Sequence, residues 1–300
     1  MNRPVFEIKQ RQTQGKKHSK FYLLTWLNVT ALILGIRSVQ AQDTSHLRYS
    51  IFRPMPRALM REEMETDRPN ITESPFTVEP GHFQYEADLF KHRRETSEDS
   101  KQRLSIFNQA NLKLGLLPRT ALQVIVESYV RELDREIQSG EKQSAEGFGD
   151  ITIRIKQNLL GNYKGNFSLA LIPYVKIPTN RYSENQSDEE GLMVPMSLKL
   201  PGDWKIGMQV EADRMLDEES KRHHAELLQS LSVSHVLFEK LEVSGETYYT
   251  YDLKSHHFNN FLDAALAVEL TRDLKIDAGM VYGLQKDAHK DFFFGLAFRY

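Results

Sequence analysis

The chain of 300 residues contains no cysteine. That excludes disulfides, thiolate metal sites and a cysteine nucleophile. A large secreted protein without disulfides has to be held by its core or by backbone pairing. Long hydrophobic runs are also scarce. Past residue 41 no stretch approaches the ~20 apolar residues that a transmembrane helix needs. Mean hydropathy is −0.50, but this does not count against a membrane barrel, because alternating strands average their hydropathy away. Basic charge is in short supply too. The formal net charge is −2, and without residues 1–41 the chain holds 32 Lys and Arg against 40 Asp and Glu. That acidity argues against nucleic acid as a partner. There is no phosphate loop, dinucleotide fingerprint or metalloprotease motif.

The one apolar run, Phe21 to Ile36, follows a stretch of twenty residues with six Lys or Arg and one Glu. Ser38-Val39-Gln40-Ala41 follows it, with small residues where a signal peptidase reads. This order predicts a secretory signal over residues 1–41, cleaved after Ala41. The alternative is an N-terminal anchor, but the run is short for that and is interrupted by Thr25, Asn28 and Thr30.

The strongest pattern lies at the other end. In Asp291–Tyr300, Phe292, Phe294, Leu296, Phe298 and Tyr300 alternate with Phe293, Gly295, Ala297 and Arg299. Period two marks a strand with one apolar face. It resembles the C-terminal strand of bacterial outer-membrane barrels, which usually ends on Phe or Tyr and engages the barrel-assembly machinery. A soluble sandwich can end the same way. From Gly81 onward the chain divides into about twelve such segments. Ile151, Ile153 and Ile155 oppose Thr152, Arg154 and Lys156, for example, and Leu262, Leu266 and Leu270 oppose Asp263 and Glu269.

Alternation alone does not separate a sandwich from a barrel, but the connections do. Charged stretches (Arg93–Gln102, Leu133–Gly147, Pro178–Glu190, Arg214–Arg222, then the shorter Asp252–His257 and Gln285–Lys290) alternate with tight turns. The turns fall at Leu117–Arg119, Gly161–Gly165, Pro201–Asp203, Phe238–Lys240 and Thr271–Asp273. Short periplasmic turns and longer outer loops are the barrel arrangement. Twelve strands put both termini on the periplasmic side. The expected fold is therefore all-β, a closed antiparallel transmembrane barrel of about twelve strands over residues 81–300, in contact with outer-membrane lipid. Phe83, Tyr85, Trp204, Phe238, Phe298 and Tyr300 are expected at the periplasmic rim, and Tyr249, Tyr251, Phe258, Tyr282 and Phe292 at the outer rim. Pro173 and Pro195 fall inside strands, where a bulge is expected.

Residues 42–80 do not alternate. Within them, TDRPNITESPF carries Asp67, Arg68, Pro69, Glu73, Ser74 and Pro75. The prolines forbid continuous helix. Two readings stand: a periplasmic lead-in to the first strand, or a plug whose Asp67, Arg68 and Glu73 pair with lumenal charges. TDRPNITESPFTVEPGHFQYEADLF, GFGDITIRIKQNLLGN, LALIPYVKIPT and LPGDW occur in order. Together they resemble the MetA-pathway phenol-degradation family of outer-membrane transporters, from about Met64 to the C-terminus. The resemblance implies an outer-membrane barrel and transport of small solutes, aromatic or hydrophobic ones among them.

Inward positions carry both signs, unevenly placed. Arg154, Lys156, Lys176, Lys199 and Lys205 lie in one half of the barrel, and Glu242, Glu246, Asp263, Glu269, Asp277, Glu86 and Asp88 in the other. As a pore lining, opposed rows would set a transverse field across the lumen. In a narrow lumen they would simply pair across it. Glu127, Glu211 and Arg299 break the segregation. No enzyme is expected: Ser234 and His235 are adjacent and so point to opposite faces, and His223-His224 and His256-His257 read as solvated loop residues rather than a metal site. No cofactor is implied. The expected function is a passive channel for small solutes. The alternatives are a closed structural or surface-interaction barrel and, third, a soluble periplasmic β-protein.

Overall fold

The computed structural model describes residues 48–97, 99–180, 188–216 and 222–300. The expected signal peptide lies outside them, as does part of the loop expected at Pro178–Glu190 and of that at Arg214–Arg222. The strands are β1 (Phe83–Thr96), β2 (Ser100–Leu117), β3 (Thr120–Glu136), β4 (Lys142–Gly147), β5 (Ile151–Leu160), β6 (Phe167–Ile177), β7 (Glu189–Leu200), β8 (Trp204–Leu216), β9 (His223–Leu237), β10 (Leu241–Asp252), β11 (Phe258–Thr271), β12 (Leu274–Gly283) and β13 (Lys290–Arg299).

Apart from β4 and β5, which both pair with β3 and not with each other, each pairs antiparallel with its chain neighbours, and β1 pairs with β13, which closes the ring. β3 is the one stave with two partners on the same side. β5 pairs with its lower half, Thr120–Val126, and β4 with its upper half, Val130–Arg135. β4 and β5 thus form one interrupted stave, and the barrel has twelve. The even number returns the chain to its starting rim, where Phe83 and Tyr300 exchange backbone hydrogen bonds of 3.3 and 2.8 Å.

Facing follows the period-two pattern. Leu262, Leu266 and Leu270 are exposed on the outer surface, while Asp263, Ala265 and Ala267 between them are buried inward. On an outer surface that meets hydrocarbon, such apolar exposure carries no hydrophobic penalty. The expected aromatic rims form in part. Tyr85 stacks on Phe298 with centroids 5.2 Å apart, and Trp204 on His235 at 4.4 Å. Phe238, Tyr300, Tyr282 and Phe292 are exposed. Tyr249 departs from expectation: it is buried, tilted against Phe258 at 4.9 Å. A row the sequence reading did not anticipate, Phe90–Phe107–Tyr129, crosses β1 to β3 at 5.2 and 5.9 Å.

Two further expectations are corrected. The charged stretches Arg93–Gln102 and Leu133–Gly147 are mostly strand, because β1–β4 continue past the apolar band as paired ribbons. Charged residues suit a strand there because both of its faces meet water. Nor do the prolines cause bulges. Leu169↔Met196 and Ile172↔Met193 keep one register across Pro195, and Arg154↔Tyr174 and Gln157↔Leu171 keep one across Pro173. The ladder omits the pairs beside each proline instead. The one shift between β5 and β6 lies between Asn158 and Leu160. A missing donor costs a hydrogen bond but adds no residue, so register survives.

Candidate functional site: the occupied lumen

The lumen is crossed by the chain's own N-terminal segment, residues 48–82. Its side chains and backbone bond to nearly every stave. Asp67 meets Lys156 of the basic wall and, from β2, Lys113: its carboxylate pairs with both, with Lys113 Nζ at 2.5 Å, and accepts from Gln123 Nε2 at 2.9 Å. Glu73 pairs with Arg154 at 2.5 Å and Lys156 at 3.6 Å. Glu65 pairs with Lys199 at 3.0 Å and Lys205 at 3.5 Å. Arg68 does the reverse. Its guanidinium reaches across to the acidic wall, to Asp277 at 2.5 Å and Asp88 at 2.6 Å. Glu86 accepts from the backbone N–H of Asp67 at 3.0 Å and Arg68 at 3.3 Å. Glu246 accepts from the N–H of Ile71 and Thr72 at 2.7 and 2.8 Å.

The segment therefore carries the complement of each wall on the side that faces it. The five basic residues sit on β5–β8 and the seven acidic ones on β1 and β10–β12. The expected transverse field across an empty lumen is what changes, because eight of these twelve side chains bond to the segment. Of the other four, Lys176 pairs with Glu189 at 2.6 Å, Glu242 lies 3.8 Å from Lys205, and Glu269 lies 3.9 Å from Lys275. Asp263 makes no hydrogen bond among the described residues.

Electrostatics fix the charge states of the segment. Burial alone would raise the Glu65 carboxyl, but Lys205 and Lys199 outweigh it and hold it well below the usual carboxylate range. Lys113 and Lys156 do the same for Asp67 against its burial. Burial and the neighbouring Asp67 carboxylate push Glu73 up.

The rest of the motif works through its backbone. Pro75 and Ser74 give their carbonyls to Asn158 Nδ2 at 2.9 Å and Lys156 Nζ at 2.6 Å. Pro69 follows a cis peptide bond. At two points the segment lies so close to the wall that only glycine fits. A Cβ on Gly115 would fall 2.0 Å from the Glu79 carbonyl oxygen, and one on Gly295 would fall 2.2 Å from Arg68 Nη2. Arg299, which broke the charge segregation in the sequence, pairs with Asp273 at 2.9 Å and with Glu79 of the segment at 3.4 Å.

Several partners escaped sequence reasoning: Lys113, Asn158, Asn162 and Ser230. Lys113, Asn158 and Ser230 are polar residues within strands, a signal available in the alternation, whereas Asn162 lies in the turn after β5, where alternation gives none. Of the loop histidines, His223 lies 3.7 Å from Asp188, His224 3.5 Å from Asp252 and His257 3.2 Å from Asp287, and among the described residues no group of three or more metal-ligating side chains forms. Ser234 is buried inward, and His235 stacks outside on Trp204.

The segment leaves open space on both sides. A cavity of about 330 Å³ lies on its Ile71 and Glu211 side, and another of about 290 Å³ is lined by Glu63, Lys199 and Trp204 toward the short turns.

A closed antiparallel barrel of twelve staves with its termini at one rim defines the class: an outer-membrane-type β-barrel. Within that class, the chain belongs to the family described as "Putative MetA-pathway of phenol degradation", whose model matches residues 66–300. Among solved structures it is similar to an outer-membrane channel from Pseudomonas putida F1, with 13% identity and a TM-score of 0.54, covering 79% of this chain and 98% of that one. It is also similar to the transport unit of the autotransporter AIDA-I from Escherichia coli, with 8% identity and a TM-score of 0.50, covering 79% and 92%. No curated protein matches it in sequence.

Proposed function

We propose that the protein is a passive channel of the outer membrane for small solutes, shut by its own N-terminal segment. The observation that carries this reading is the way the segment is held. Its attachments across the middle of the lumen are chiefly ion pairs and hydrogen bonds to the walls, joined by a few buried or half-buried apolar side chains such as Met64, Phe76 and Ile71, with open cavities on either side. Polar attachments of this kind exchange for water at modest net cost, whereas interdigitated apolar packing does not. The outer surface of exposed leucines and aromatics fits lipid. The family description supports aromatic compounds as solutes.

The absence of native cysteine makes a direct test available. Thr72 Oγ1 lies 2.6 Å from Ser230 Oγ. Thr72→Cys with Ser230→Cys should form a disulfide that locks the segment to β9. In planar bilayers the oxidised protein should stay closed, reductant should restore conductance, and deletion of residues 48–79 should give the largest conductance. Equal conductance in the oxidised and reduced forms would refute gating by the segment. No conductance in any form, the deletion included, would establish the closed structural barrel instead.

A further inference from the structure

Asp263 is the one predicted lumenal charge left over once the segment is seated. Its side chain is buried to 6% exposure on β11, and both carboxylate oxygens are buried without a hydrogen-bond partner among the described residues. A buried carboxylate without a donor loses its hydration and gains nothing in return. Asp263 is among the residues that line the cavity of about 330 Å³ beside the segment. Directly across the ladder from it stands Glu246, whose oxygens take backbone N–H groups and not a cation. The cations bordering this cavity are engaged elsewhere. Arg68 is on Asp88 and Asp277, Arg154 is on Glu73, and Lys91 lies 3.8 Å from Asp291. This corner of the lumen therefore carries two carboxylates and no counter-charge bonded to either.

The wall beside them is apolar. Val281 and Phe293 belong to a buried cluster on which Ile71 and Leu228 also pack, and all four line the same cavity. The volume is at the small end of the ~300–1,000 Å³ typical of ligand pockets. A hydrated divalent ion would satisfy the carboxylates but would waste the apolar wall. A neutral aromatic compound would fill the wall but leave Asp263 unpaired.

We propose that this cavity binds a small amphipathic ammonium compound, with its N–H groups donating to Asp263 and its apolar body against Ile71, Leu228, Val281 and Phe293. The site deepens the channel reading and rests on it, since the ligand reaches the cavity through the lumen. The solute class it selects is cationic and apolar together.

The test is isothermal titration of the full, folded chain in detergent micelles, with empty micelles as the blank. The probes are 2-phenylethylamine, the neutral isostere 2-phenylethanol, and magnesium chloride. The amine should bind at least roughly tenfold more tightly than the alcohol, as expected for a charge-assisted hydrogen bond, and magnesium should not displace it. Asp263→Asn, checked for folding by its heat-modifiable migration on gels, should lower amine affinity by a similar factor and leave the alcohol unchanged. Equal binding of amine and alcohol in the wild type, which needs no variant, would overturn the site, as would displacement by magnesium or unchanged amine affinity in the variant. Conductance without amine binding would remove this site and leave the channel. Amine binding without conductance would do the opposite.

Discussion

Asp67→Asn should release the segment from the lumen while leaving the barrel intact. Asp67 is the shared counter-ion of Lys113 and Lys156, whose side chains are 3% and 1% exposed. The amide keeps the shape and the contact with Gln123 but removes the charge. Each lysine keeps other partners: Lys113 has Glu86, and Lys156 has the Ser74 carbonyl at 2.6 Å and Glu73 at 3.6 Å. Breaking one side of a buried ion pair costs about 3–5 kcal/mol, and the remaining partners argue for the lower end, about 3 kcal/mol. That shifts the docked-to-released ratio by roughly a hundredfold. The stave ladder does not involve Asp67, so heat-modifiable migration should be unchanged. The assay is planar-bilayer recording beside proteinase K digestion of the segment. The variant should show long open intervals and rapid cleavage between residues 64 and 79, and adding Lys156→Met should recover part of the protection by removing the stranded charge. Wild-type conductance together with wild-type protection would refute the view that this ion triad holds the segment.

Four further outcomes follow from the geometry. Because the Glu65 carboxyl is held below its usual range when the segment is docked, its contribution is present above the free value of about 4 and fades as pH falls below it; conductance should rise below about pH 4, and Glu65→Gln should blunt that rise. Gly295→Ala should weaken docking of Arg68, since the added methyl would sit 2.2 Å from its guanidinium, and protease protection of the segment should fall. Leu266→Arg, at a 51% exposed outward position, should cost roughly 2–4 kcal/mol and impair assembly, whereas a change at inward Ala265 to Ser should be tolerated on the same gel assay. Ser139→Cys, at the tip between β3 and β4, should label with an impermeant reagent on intact cells, and Gly202→Cys, in the turn between β7 and β8, should not; the reverse would invert the topology.

The barrel was legible because its information is local. Period-two alternation fixes which face each residue takes, and the tight turns Leu117–Arg119, Pro201–Asp203 and Thr271–Asp273 count the staves. The segment was legible only in part. Asp67, Arg68 and Glu73 stood out as charges, but no period links them to partners that are 18 to 209 residues away. Complementarity of that kind is written in two places at once, and neither place announces the other. The prolines misled for a different reason. Pro173 lies in β6 on its seam with β5 and Pro195 in β7 on its seam with β6, and the sheet at both keeps register while omitting pairs, an arrangement no single-strand rule distinguishes from a bulge. Lys113 sat at an inward position in the alternation, yet its stave lies outside the two charged walls, so the segregation argument passed over it.

The order in which the contacts occur along the chain has a consequence for biogenesis. The segment is made before any stave, yet Arg68 needs Asp277 and Glu79 needs Arg299, near the end of translation. The ring itself closes by pairing β1 with β13. Once that seam is zipped, a polar ribbon on the wrong side of it would have to thread a finished cylinder. Long-range contacts of this kind form slowly because chain closure precedes their reward. Seating the segment therefore ties the first-made part of the chain to the last-made staves, across the whole length of the barrel sequence.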